Sequence, residues 1–325
     1  GYLSKEVAVK DFGFLEVQLT ASLNQMDEVI VVGYGVQKKV SSTAAVSSIK
    51  GSDIENVPVA NISSALTGRI PGLISAQGSG EPGNDDAELY IRGMGTTGNK
   101  APLVIVDGVP RELNRLDPNV IESVTLLKDA AAVAPYGVAG ANGVVLITTK
   151  SGKTGKVALS YKGYTGWQSP TDVPKLLNSY EYASMRNLAT KNENPAAALP
   201  FKESQLNGYK KTVEGAQDAD PDKYPNSDAM SFFRDANTTI TGHSLTASGG
   251  QDIASYFVGL GYLYQSGLYA TTGSNRYNLT AKLSSKVTRT TTMALSINGS
   301  QQQIARPWLD PITVFERAIK WNPTV

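Results

Sequence analysis

His243 is the only histidine in the chain, and there is no cysteine. Nucleophilic catalysis needs a base within reach of a nucleophile, and thiolate or imidazole metal sites need several such ligands. No catalytic residue, metal site or cofactor is therefore expected. Asp218, Asp220 and Asp222 have the spacing that opens a calcium loop, but Lys223 stands where the turn glycine belongs and Ala229 where the bidentate glutamate belongs. Gly78-Ser79-Gly80 with Pro82-Gly83 lacks the Lys-Ser/Thr pair that completes a phosphate-binding loop. Lys and Arg number 30 against 29 Asp and Glu, so a net charge of +1 offers no field to attract nucleic acid. What remains is strand-pairing and hydrogen-bonding chemistry. The run Asp27-Glu28-Val29-Ile30-Val31-Val32-Gly33 is a β-branched segment led by acids, and two glycine-rich polar stretches, 77–86 and 94–100, carry Gln77, Glu81, Asn84, Asp85, Thr96, Thr97 and Asn99.

These groups need elements to hold them. Alternation at Val7, Val9 and again at Leu15, Val17, Leu19 marks strands half buried against a core that about twenty residues cannot supply, so residues 1–24 are expected to end a small β-domain. The sequence does not open on a Met-initiated basic and apolar leader, so any export signal is expected to have been removed or to lie upstream of Gly1, which is expected to be a cut end. The acid-led run and the polar stretch after it, residues 25–45, read as an isolated extended segment and linker. From 46 to 152 strands alternate with short helices. Ala87 to Arg92, Pro102 to Asp107, Ser123 to Leu127 and Gly143 to Lys150 read as strands, Asp107-Gly108 and Asn142-Gly143 as turns, and Asp117-Pro118 and Asp129 as helix starts. This is a compact α+β domain.

Beyond 152 the texture changes to long alternating strands at Lys156 to Trp167, Thr239 to Ser248, Ile253 to Gln265, Asn275 to Val287 and Thr291 to Gln301, with an open tail from Gln302. Their connections alternate long and short. Asn178 to Thr190, in the first long connection, reads as a capped helix with Glu181 three residues after Asn178. No apolar run approaches the ~18 to 20 residues of a membrane-spanning helix. Periodicity alone fits a soluble β-sandwich equally well. The strands, however, exceed the ~5 to 6 residue mode of globular sheets and present apolar faces with no second apolar sheet to cover them. An antiparallel membrane barrel has this alternation of long and short connections, with Tyr164, Trp167, Tyr262 and Tyr264 expected in its aromatic girdles.

Residues Asp27 to Gly35 resemble the TonB box of SusC/RagA-type TonB-dependent outer-membrane transporters of Bacteroidota. The resemblance continues through Ser64 to Leu73, Tyr90-Ile91-Arg92-Gly93, Pro102 to Pro110, Asp117 to Val124, Leu127 to Ala132 and Tyr136-Gly137 through Lys150, which are similar in order and spacing to the family's plug. It implies a carboxypeptidase-regulatory-like extension ending at 24, a TonB box and linker at 25–45, a plug at 46–152, and at 153–325 the first strands and extracellular loops of a transmembrane antiparallel β-barrel. Five strands at ~4.8 Å spacing make a wall only about 24 Å wide, whereas plugged transporters close with about 22 strands, so a longer polypeptide is expected.

By resemblance, Asp27, Glu28, Val29, Ile30, Val31, Val32 and Gly33 bind TonB. Taken alone, Val29 to Val32 reads more readily as a buried strand, and its place before a plug-like domain gives it the other role. The two polar stretches are the plug apices facing ligand, although each residue taken singly is an ordinary solvated loop residue. Arg92 is expected to hold the plug to inward acids of the wall. The implied activity is active import of a glycan or oligopeptide across the outer membrane with a SusD-like lipoprotein lid; signalling to an anti-sigma factor stays open beside it.

Overall fold

The computed structural model of the chain describes residues 29–32, 35–38, 46–55, 57–93, 95, 98–234, 237–268 and 271–325. The expected extension at 1–24, Asp27, Glu28, Gly33, Thr96 and Thr97 lie outside the described residues. Val29–Val32 (β1) pairs antiparallel with Gly35–Lys38 (β2), Val29 opposite Lys38. The run expected to stand alone is thus one arm of a hairpin. Two strands without a third are marginally stable in water, and the outer edge of β1 has no partner among the described residues.

The domain that follows is built on Val46–Lys50 (β3), Leu73–Gln77 (β4), Ala87–Ile91 (β5), Leu103–Val106 (β6), Val109–Pro110 (β7), Ile121–Leu127 (β8) and Val144–Thr149 (β9). Its main sheet has the order β3-β8-β9-β6-β7, with β6 and β9 parallel and the other pairs antiparallel. β9 reads Val-Val-Leu-Ile-Thr-Thr because it is covered on both faces. Val145 and Ile147 join Ile54, Ile62, Leu66 and Val124 in the larger cluster, while Val144 and Leu146 join Ile105 and Leu127 on the other side. The β4–β5 hairpin stands apart and carries the 78–86 loop at its tip, Gln77 opposite Ala87.

Gly155–Gln168 (β10), Thr238–Gly250 (β11), Ala254–Ser266 (β12), Gly273–Lys286 (β13) and Thr292–Ala305 (β14) form one antiparallel meander in sequence order, each strand 13 or 14 residues long. This wall has two unlike faces. One carries Leu159, Leu245, Leu260, Leu279, Leu295 and Ile297, all exposed. The other carries Lys162, Ser244, Gln265, Arg276 and Lys282, and the α+β domain sits against it. No second sheet covers the apolar face among the described residues.

At the edge opposite the short turns, residues 169–237 make a long excursion. Helix Ser179–Glu193 has the expected cap, Asn178 Oδ1 accepting from Glu181 N at 2.9 Å and Glu181 Oε2 from Asn178 N at 3.1 Å. The expected open tail is ordered instead. β14 runs on to Ala305, and Asp310 caps a helix at Pro311–Ile319 whose Val314, Phe315 and Ala318 pack on Met230 and Phe233 of the excursion. Asp218 is paired with Lys211, whose hydrogen bond lowers the Asp218 pKa.

Candidate functional site

The chemistry of this chain is concentrated where the plug-like domain meets the polar face of the wall. β12 places Gly259 and Gly261 on that face, and the plug turn Asp117–Val120 lies on their bare backbone. A Cβ at Gly261 would fall 2.5 Å from Asp117 Oδ2, and one at Gly259 2.7 Å from Val120 Cγ1. Asp117 earns its position twice: Oδ1 accepts from Asn119 N at 2.9 Å as the cap of the turn, and Oδ2 accepts from Ser244 Oγ at 3.0 Å.

Arg276 of β13 is the centre of the seat and is 4% exposed. Its guanidinium donates to Ala60 O at 2.8 Å, Asn61 Oδ1 at 3.0 Å and Asn114 O at 2.7 Å. Asn61 in turn donates to Asp85, which also accepts from Gln265 Nε2 at 3.2 Å. Burial raises the Asp85 carboxyl above the usual carboxylate range, against the hydrogen bonds from Gln265 and Asn61. Six residues along β13, Lys282 donates to Asp107 Oδ1 and to Thr149 O. Asp107 holds left-handed backbone (φ 50°) at the β6–β7 turn, a conformation Asp tolerates, and also accepts from Thr149 N.

At the opposite edge Glu55 is shared by Lys150 of the plug and Lys162 of β10. Burial, the largest influence on Glu55, pushes its pKa up, but the bonds from the two lysines together bring it below the ordinary value. Every ion pair between plug and wall among the described residues, Glu55–Lys162, Asp107–Lys282 and Glu81–Arg306, has the acid on the plug and the cation on the wall. This reverses the expectation for Arg92, which is bonded to Asp129 inside the plug, at the start of the helix Ala130–Val133.

The loop residues singled out in the sequence separate into two groups. Gln77, Asn84 and Asn99 are exposed; Gln77 Nε2 donates to Asp85 O at 3.0 Å and Asn99 Oδ1 accepts from Ala101 N at 3.0 Å. Glu81 is tied to Arg306 at 2.8 Å, and Asp85 is buried with both carboxylate oxygens engaged. Their loop is therefore clamped onto β12 and the end of β14. Sequence reasoning missed Arg276, Lys282 and Asp117 as seat residues, although cations without a carboxylate on the same strand face were a usable signal. Tyr164, expected in an aromatic girdle, lies on the seat side against Gly242. The outward row consists of Tyr161, His243, Tyr262 and Tyr277, with adjoining ring centroids 5.1–6.2 Å apart.

A small α+β domain fastened by its acids to the polar face of a long-stranded meander, whose other face is apolar and bare, defines a plugged membrane barrel, of which five wall strands are present. Residues 38–144 match the TonB-dependent receptor plug domain family. The chain is 35% identical over 301 residues to TonB-dependent receptor P26 of Formosa agariphila, covering 88% of this chain and 28% of that protein. It is 29% identical over 295 residues to TonB-dependent receptor SusC of Bacteroides thetaiotaomicron, covering 87% of this chain and 27% of that protein. Among solved structures, the RagAB peptide importer in its open-open state superposes with a TM-score of 0.68 at 24% identity, covering 86% of this chain and 33% of that one, a likeness of fold. Residues 38–144 are thus the plug domain of a TonB-dependent receptor, a family of receptors and transporters and not of enzymes, and the chain as a whole is similar to the SusC and RagA members of that family. It spans a little over a quarter of the length of the curated relatives it matches, 28% for the first of them.

Proposed function

We propose that the protein imports a large nutrient, a glycan or an oligopeptide, across the outer membrane of a Bacteroidota-type Gram-negative cell, driven by TonB and assisted by a SusD-like surface lipoprotein. The observation that carries this reading is the fastening of the plug, which side-chain hydrogen bonds and ion pairs join to the polar face of the wall. Similarity in fold to the RagAB peptide importer supports an oligopeptide as one of these substrate classes.

In this reading residues 1–24 end a β extension, 25–45 hold the TonB box and linker, 46–152 the plug, and 153–325 barrel strands and loops. TonB adds a strand to Asp27–Gly33, for which the edge of β1 left without a partner among the described residues is suited. Gln77, Asn84, Thr96, Thr97 and Asn99 offer hydrogen bonds to ligand at the plug apex, while Glu81 and Asp85 set the height of their loop on the wall.

The test is nutrient uptake by cells whose only copy lacks residues 27–33. Loss of growth on the transported nutrient, with normal insertion in the membrane, is expected; unimpaired uptake would remove the coupling role.

A further inference from the structure

The outward face of the wall carries no Asp, Glu, Lys or Arg from Val157 to Trp167, Thr239 to Ala247, Tyr256 to Tyr264, Asn275 to Leu283 or Met293 to Gln303, counting alternate residues. Its one imidazole is His243. The register sets His243 opposite Tyr262, and Tyr262 opposite Tyr277. Leu245, Leu260, Leu279 and Ile297 lie on the short-turn side of this row, Gln301 stands in it opposite Tyr277, and Thr241, Tyr264, Asn275 and Gln303 lie on the long-loop side, so the row marks the level where apolar solvent gives way to polar.

At the same level the face is hollowed. A depression of about 650 Å³ runs from Tyr161 and His243 to Gln301, with Leu260 and Leu279 on its apolar side, and a Cβ at Gly299 would meet nothing within 4 Å. β11, β12 and β13 each have both neighbouring strands in place, so the middle of the hollow is not a sheet edge. Tyr161 Oη lies 2.7 Å from His243 Nδ1. With Tyr161 donating, the ring hydrogen sits on Nε2, for which no partner is present among the described residues.

We propose that this hollow is a site for a phosphate-bearing lipid of the outer leaflet, one acyl chain lying along Leu260, Leu279 and the gap at Gly299, the phosphate accepting from His243 Nε2–H. The absence of any carboxylate from these stretches of the face and the placement of its one imidazole N–H at the polar boundary fit an anionic headgroup. The site rests on the wall spanning the membrane and is independent of what is imported.

The full-length protein in detergent is titrated with dimyristoyl-phosphatidylglycerol and, separately, with a phosphate-free galactosyl diacylglycerol of the same chains, bound lipid being counted by native mass spectrometry. Wild type is expected to retain phosphatidylglycerol in preference. His243→Phe should weaken that lipid about tenfold, the value of a hydrogen bond to a charged group, and leave the galactolipid unchanged. Gly299→Leu, which fills the gap, should weaken both. Equal retention of the two lipids by wild type and His243→Phe overturns the phosphate contact. An unaltered Gly299→Leu overturns the hollow, and retention of neither lipid by wild type overturns the membrane-spanning reading as well.

Discussion

Arg276 shows how a wall residue can hold a plug without a carboxylate in contact. Three neutral acceptors, Ala60 O, Asn61 Oδ1 and Asn114 O, share one guanidinium that is almost wholly buried. Arg276→Met would leave two carbonyls and an amide oxygen without their donor, at about 1.5–3 kcal/mol for each hydrogen bond to a charged group and less than additively. Loss of about 3 kcal/mol or more of local protection is expected at Ala60–Asn61 and Asn114 by amide hydrogen exchange, with Arg276→Lys recovering part of it; unchanged exchange would deny Arg276 this role. Asp85 and Glu55 make opposite demands on pH. The Asp85 carboxyl, raised by burial, binds its proton more tightly when seated. Its contribution is therefore greatest in acid and falls as pH rises from the ordinary ~3.9 through the raised value. The Glu55 carboxyl is lowered, so its contribution is complete above the ordinary ~4.3 and is lost as pH falls through the lowered value. Amide protection around Asn84–Ala87 should accordingly weaken with rising pH across the acid range while that around Glu55 strengthens. Asp85→Asn should flatten the first profile and Glu55→Gln the second, and a profile that survives its own substitution counts against the assignment.

At the scale of elements, glycine decides where the plug comes to rest. Gly261→Val would drive a branched side chain into Asp117, and overpacking of this kind costs about 1–3 kcal/mol. The Asp117–Val120 turn should lift from β12 and residues 117–120 become sensitive to protease, whereas Gly299→Ala on the same wall, with nothing near its Cβ, should leave digestion unchanged. The wall strands are legible in sequence because one-sided burial enforces a period of two, and β9 because burial on both faces makes it a continuous apolar run. β3 and β4 were not legible. Val-Ser-Ser-Ile-Lys and Leu-Ile-Ser-Ala-Gln are short, serine-bearing edge segments whose strand form comes from partners 75 or so and about 15 residues away. The helix Pro311–Ile319 did have a local signal in Asp310-Pro311, a cap followed by proline at the first turn. The seat was half legible: alternation puts Lys162, Arg276 and Lys282 on the polar face, and the same parity puts Tyr164 there. Which plug atoms they meet depends on contacts 107 to 216 residues apart in the chain, and one sequence carries no record of those.

For the molecule as a whole, the arrangement implies that the plug must leave part of this seat if anything large is to pass. A chain without cysteine allows that to be tested by a single engineered bond. Disulfides need Cβ atoms roughly 3.5–4.5 Å apart. A Cβ built on Gly261 lies 3.3 Å from that of Asp117, close enough for a small backbone adjustment to complete the geometry. Replacing both residues by cysteine also removes the Asp117 carboxylate that would otherwise clash with the new side chain. The oxidised double variant, Gly261→Cys with Asp117→Cys, should fold and insert normally, keep the plug turn against β12, and fail to support uptake; reductant should restore it. The single Asp117→Cys variant controls for the loss of the Asp117–Ser244 hydrogen bond, worth about 1.5–3 kcal/mol to the seat. If the cross-linked protein imports as fast as the reduced one, the passage opens elsewhere, with the Asp117–Val120 turn still in place. The moving part would then be sought in β3 and the β4–β5 hairpin, whose sheet partners lie within the plug and not on the wall.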